Sequence, residues 1–206
     1  MREFIDFFLK VGRLKEMPKK GWVLIGVRNP ESIIEHSFQV ALMAWFLGER
    51  KKIKLNIERV LKIALIHDLC EVYAGDETPY DKILPKDRKE WPNLFDKWPR
   101  ATKAEKVKDA LRRHKKEELS LKRLIAKLPD VTKQEIFHLW IDYEEGRTKE
   151  ARFVRQVNRI QTLLQALDYG RKYKIRVYKS WWIGTKEKVD DPLLLQFMKE
   201  LEREFH

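Results

Sequence analysis

The sequence predicts an all-α fold, on three observations. Apolar residues recur at helix-face intervals along most of the chain. Only 8 glycines and 8 prolines punctuate its 206 residues. One segment, 56–74, is apolar on nearly every face, as expected of a helix in the middle of a core.

Each element follows in order. Phe4, Phe7, Phe8, Val11 and Leu14 predict a helix over 2–16. Pro18 and Gly21 break it, and 18–30 reads as a loop closed by Asn29-Pro30. Ser32 with Glu35 forms a capping-box pattern that starts a helix running to about Glu49. Val60, Ile63, Ala64, Ile66, Leu69 and Val72 make 56–74 one helix, ended by Gly75-Asp76. Pro79, Pro85, Pro92 and Pro99 make 75–101 loop-rich, a segment expected to flank an active site rather than divide domains. Residues 102–128 read as a charged helix. Thr132 with Glu135 predicts the start of another, stopped by Gly146. Phe153, Val157, Ile160, Leu164 and Leu167 align along a helix over 149–173. The stretch 174–183 is the one that reads as strand or irregular, and 191–205 is a closing helix with Pro192 near its start.

Composition narrows the function classes. A hydrophobic fraction of 43% excludes a disordered chain. The single cysteine, Cys70, can neither staple the fold nor build a zinc knuckle, and it fits a reducing compartment. No apolar run approaches the ~18 residues that span a bilayer, and no secretory signal pattern opens the chain. The expectation is a cytoplasmic protein without a membrane partner. The net charge of +12 attracts anions such as nucleotides or nucleic acid. Because Lys and Arg are spread along the chain, it equally describes a charged, solvated surface.

Chemistry concentrates in two words, Ser32-Ile-Ile-Glu-His36 and Ile66-His67-Asp68-Leu-Cys-Glu71. A carboxylate on an apolar helix is costly to bury unless a cation or hydrogen bonds compensate it. Glu71 follows His67 by four residues and Asp68 by three, so the three share one side of a helix. Imidazole and carboxylate suit a divalent ion such as Mn²⁺, Co²⁺, Fe²⁺ or Zn²⁺, and His36 from another helix completes a set of three. A satisfied structural His-Asp pair is the alternative for His67-Asp68 taken alone.

These words resemble the HD-domain metal-dependent phosphohydrolases, and more closely their 5′-deoxynucleotidase branch. The matching residues are Trp22, then Asn29-Pro-Glu-Ser-Ile-Ile-Glu-His36, then His67-Asp68-Leu-Cys-Glu71-Val-Tyr-Ala-Gly75-Asp76. Leu139-Trp-Ile-Asp-Tyr-Glu144 and Ala151-Arg-Phe-Val-Arg-Gln-Val-Asn158 extend the likeness over most of 5–170. The resemblance implies a helical bundle with a buried central metal-site helix. It implies one domain over 1–206, with a core of about 5–170 and a helical extension at 171–206. It further implies His36, His67 and Asp68 as metal ligands, Glu71 handling the attacking water or leaving-group proton, Asp76 on the sugar and Trp22 in the substrate pocket. The expected cofactor is a divalent ion (Co²⁺, Mn²⁺, Mg²⁺, Fe²⁺ or Zn²⁺), the substrate a nucleotide, and a homodimer a mild further expectation.

Two departures stand out. The family's fourth ligand is an aspartate where this chain has Asn158, which is neutral but still offers an amide oxygen. Bacterial members carry Arg before the tryptophan, where this chain has Gly21, preceded by Lys19-Lys20. Phosphate recognition then falls to Lys20 or Arg28, unless the lysine pair is simply solvated. The alternative function is an HD-fold nucleotide- or nucleic-acid-binding protein with weakened or lost catalysis.

Overall fold

The computed structural model describes residues 1–50, 54–96 and 102–205. Among the described residues the chain is mostly helical, and the only β-type pairing is an isolated bridge between Pro18 and Ser32. That bridge fastens the 18–32 segment where it approaches the site.

Helix α1 (Arg2–Gly12) continues into a 3₁₀ turn, Arg13–Lys15. The expected loop at 18–30 contains a short helix, α2 (Lys20–Leu24), which buries Trp22. Helix α3 (Ile33–Glu49) starts with the predicted box: Glu35 N donates to the Ser32 hydroxyl, and Ser32 N donates to the Glu35 carboxylate at 2.6 Å. Helix α4 (Ile57–Ile66) is capped by Asn56.

The single helix expected over 56–74 is broken. After Ile66 the chain tightens into turns, then resumes as α5 (Glu71–Ala74). The reason is local. His67 Nδ1 donates to Ala64 O at 2.7 Å, the carbonyl that Asp68 N–H would use in a regular α-helix. Backbone bonds then shift to a three-residue span, with Leu69 N on Ile66 O and Glu71 N on Asp68 O. His67 and Asp68 therefore sit at a helix end, not in mid-helix.

The loop-rich segment 75–96 holds a 3₁₀ turn, Arg88–Glu90, and α6 (Trp91–Phe95). The rest of that expectation, 97–101 with Pro99, lies outside the described residues. Helix α7 (Lys103–Ile125) is capped by Thr102. The start expected at Thr132 is also corrected: α8 (Asp130–Glu145) begins two residues earlier, after Pro129. The fixed proline φ presets the turn, Lys133 N reaches Pro129 O, and Glu135 pairs with Lys62 instead of capping. Gly146 ends α8 in the left-handed conformation, φ 64°. Helix α9 (Lys149–Tyr173) is the longest element. Lys174 ends it at φ 56°, residues 174–178 are irregular, and α10 (Lys179–Lys186) replaces any strand there. Helix α11 (Pro192–Phe205) closes the chain.

Three apolar clusters make up the core. The largest joins α3, α4, α9 and α11 through Val40, Ala44, Ile63, Val157, Ile160 and Leu194. A second packs α1, α5, α7 and α8 around Leu121, Ile125 and Trp140. In the third, Trp22 meets Tyr169 and Trp181 with ring centroids 5.4 Å apart in each pair. The 75–96 segment is tied down from the C-terminal side. Tyr80 donates to Ser180, Ser180 to Phe95 O, and Arg176 pairs with Asp96. Among the described residues, no helix is long and apolar enough to cross a membrane.

Candidate metal centre

His36 enters from the first turn of α3, His67 and Asp68 from the turn after α4. Their ligating atoms all lie within 4.8 Å of one another. Asp68 Oδ2 stands 3.6 Å from His36 Nε2 and 3.4 Å from His67 Nε2. Both histidines are buried.

Each imidazole presents a bare nitrogen to that point. His67 Nδ1 is bonded to a carbonyl, which only accepts, so the proton sits on Nδ1. Its Nε2 is buried with no hydrogen-bond partner among the described residues. Burial, the largest influence, draws the His67 pKa down to about 4, so the ring is neutral at pH 7. His36 Nδ1 meets Gln161 Oε1 at 2.7 Å. Gln161 donates its amide protons to Glu31 Oε2 and Gln39 Oε1, which fixes its oxygen toward His36. His36 thus also holds its proton on Nδ1. Two imidazoles and a carboxylate, with the unpartnered His67 Nε2 between them, fit a divalent cation.

The second feature is Lys19, which the sequence reading passed over in favour of Lys20. Its Nζ lies 3.1 Å from Asp68 Oδ2, 3.1 Å from Glu71 Oε1 and 3.3 Å from Asp76 Oδ1. Burial lowers the ammonium pKa, but the three carboxylates outweigh it and raise it well above the usual lysine value. Burial also raises Asp68, yet His67, Lys19 and His36 leave it below the ordinary aspartate range. Burial and the Asp68 charge push Glu71 well up, with Lys19 opposing.

The remaining predicted residues have other surroundings. Lys20 faces the 75–96 segment: its backbone N donates to Asp76 Oδ2 at 2.7 Å and its Nζ to Asp81 at 2.6 Å. Asp76 is brought to the site by Gly75, whose φ of 73° with ψ of 161° suits glycine alone. Trp22 is 3% exposed and donates Nε1–H to Glu31, one layer behind His36. Arg28 is exposed. Asn158 lies one turn of α9 before Gln161 and donates Nδ2 to the Tyr143 hydroxyl at 2.7 Å. The Tyr143 ring in turn packs on His67, centroids 5.2 Å apart. Lys19, Glu31, Gln39, Tyr143 and Gln161 were not singled out from sequence. Glu31, inside the Asn-Pro-Glu-Ser word, and Tyr143, inside Leu139-Trp-Ile-Asp-Tyr-Glu144, carried a local signal.

Comparison with known proteins identifies the family and the fold. The family described as "HD domain" matches residues 11–192. The human 5′-deoxynucleotidase HDDC2 is 31% identical over 204 residues, covering 98% of this chain and 86% of that protein. The protein of the same name from Dictyostelium discoideum is 30% identical over 212 residues, covering 98% of each. A conserved hypothetical protein from Pyrococcus furiosus has the same fold, with a TM-score of 0.71 and 25% identity, covering 97% of this chain and 99% of that one.

Proposed function

The chain belongs to the HD-domain family, and from that membership we propose that it is a metal-dependent phosphohydrolase converting deoxynucleoside 5′-monophosphates to nucleoside and phosphate. The observation that carries the site assignment is the point shared by His36 Nε2, His67 Nε2 and Asp68 Oδ2, where His67 Nε2 has no hydrogen-bond partner among the described residues. His36, His67 and Asp68 are the proposed ligands. Asn158 is a fourth only if its amide oxygen turns inward while Nδ2 stays on Tyr143. A divalent ion there supplies charge neutralisation at the phosphoryl group and acidifies a water molecule.

The chain's own residues supply the rest. Glu71 takes the proton of the attacking water, a role that suits a carboxyl whose pKa is raised by burial. The water oxygen bonds to phosphorus, the bond from phosphorus to O5′ breaks, and Glu71 returns the proton to O5′. Lys19, within 3.1 Å of both Asp68 and Glu71, balances the dianionic phosphate. Asp76, held by the backbone N–H of Lys20, accepts from a sugar hydroxyl. Trp22 bounds the pocket through Glu31 rather than by facing it. Lys20 anchors the loop, and Arg28 offers peripheral positive charge to the substrate.

The proposal extends to a single domain over 1–206, working in the cytoplasm. A homodimer is supported by α3, which exposes Phe38, Trp45 and Phe46 on its outer side. The test is phosphate release from a panel of nucleoside and deoxynucleoside monophosphates with Co²⁺, Mn²⁺, Mg²⁺, Fe²⁺ or Zn²⁺. Release that favours deoxynucleotides and vanishes with chelator is expected. No release with any metal, together with retained nucleotide or nucleic-acid binding, would replace the enzyme by an HD-fold binding protein.

A further inference from the structure

Behind His36, on its Nδ1 side, lies a carboxylate that the proposed reaction does not use. Glu31 is 9% exposed. Among the described residues, the one ionisable side chain within ion-pair reach is His36, whose Nδ1 stands 3.7 Å from Glu31 Oε1. Its hydrogen-bond partners are neutral. Trp22 Nε1–H reaches Oε1 at 2.9 Å and the Gln161 amide reaches Oε2 at 2.9 Å. Glu31 also has a fixed place, because its backbone N–H donates to the Tyr169 hydroxyl and its carbonyl accepts from Lys19 N. A buried carboxylate held only by neutral donors is costly unless a cation lies near.

Gln161 connects this charge to the site. It is completely buried, and its amide is oriented by donating to Glu31 Oε2 and to Gln39 Oε1. Its oxygen is left to accept the His36 Nδ1 proton at 2.7 Å.

We propose that Glu31, acting through Gln161, is the positioning group that fixes His36 as its Nδ1–H tautomer and strengthens Nε2 as a metal donor. This rests on the reading that His36, His67 and Asp68 hold a divalent ion. The Glu31 charge polarises the Gln161 amide, the amide oxygen draws on the Nδ1 proton, and the far nitrogen becomes a better donor. The dication, on the other side of the imidazole, is in turn the counter-charge that Glu31 otherwise lacks. Trp22 serves the same unit by saturating the second carboxylate oxygen.

The test uses the full chain stripped of metal, with the isosteric Glu31→Gln and with Gln161→Leu. Imidazole ¹⁵N shifts report the His36 tautomer, and competition with a chelator reports Zn²⁺ affinity. The wild-type protein is expected to show His36 protonated at Nδ1. Glu31→Gln should bind Zn²⁺ about ten- to a hundred-fold more weakly, while its metal-free unfolding temperature is unchanged or higher. A purely structural carboxylate would instead lower that temperature and leave the affinity alone. Gln161→Leu should give a tautomer mixture. Wild-type His36 protonated at Nε2 overturns the proposal without any variant, and so does a Glu31→Gln protein that binds Zn²⁺ as tightly as wild type. Wild-type protein that binds no divalent ion would instead overturn the metal-site reading on which it rests.

Discussion

Replacing Lys19 by methionine removes, among the described residues, the one ammonium within ion-pair reach of Asp68, Glu71 and Asp76. Its ammonium lies 3.1 Å from Asp68, 3.1 Å from Glu71 and 3.3 Å from Asp76, with 17% of the side chain exposed. Each contact carries about 5 kcal/mol of gross attraction at an effective dielectric near 20. After the burial cost of the ammonium is subtracted, removing one partner from such a cluster costs about 3–5 kcal/mol. The pH dependence follows from the signs. The Lys19 pKa is raised on folding, so its stabilisation is fully present below the unfolded lysine value and lost only as pH rises through the folded value. In Lys19→Met the carboxylates face one another and their pKa values rise. Their repulsion therefore develops above the unfolded carboxylate value of about 4 and fades below it. Urea unfolding of metal-free protein should show the full loss at pH 7.5 and a smaller one at pH 4, where Asp68, held below the ordinary aspartate range, still pairs with Lys19 in the wild type. Added Mn²⁺ should narrow the gap at pH 7.5. A loss under about 1 kcal/mol at pH 7.5, or the same loss at both pH values, would refute the reasoning.

Other perturbations test separate links. Gly75→Ala meets no steric neighbour, so its cost of about 1–3 kcal/mol is purely conformational; denaturation should register it, and phosphate release should fall as Asp76 shifts. With metal removed, His67, whose pKa drops from 6.5 to about 4 on folding, makes stability fall as pH drops through that interval, by about 3 kcal/mol in all. In His67→Gln, unfolding measured from pH 7 to pH 4 should lose that slope relative to wild type. Asn158→Asp adds a negative donor beside the Tyr143 hydroxyl, and calorimetry should show about ten-fold tighter divalent-ion binding. An unchanged affinity would place residue 158 outside the metal's reach.

Much of this was readable in the sequence because it is local. The Ser32–Glu35 box, the stop at Gly146 and the spacing of His67, Asp68 and Glu71 all lie within a few residues of chain. What stayed hidden is long-range. Lys19 meets Asp68 across 49 positions and His36 meets Gln161 across 125, and no periodicity encodes such pairings. Lys20 looked equivalent to Lys19, yet a single step along the chain sends it to Asp81 instead. Two local signals were outcompeted. The apolar run at 56–74 promised one helix, but the His67 ring takes the Ala64 carbonyl and breaks it. Thr132 and Glu135 matched a cap, but Pro129 started α8 first and Lys62 claimed Glu135.

The proposed reaction depends on where a divalent ion sits. Crystals grown with Mn²⁺ and measured for anomalous scattering answer this directly. The expected result is one peak per chain at about 2.0–2.2 Å from His36 Nε2, His67 Nε2 and Asp68 Oδ2. A peak elsewhere in the molecule, or none while those three side chains hold their present positions, would contradict it.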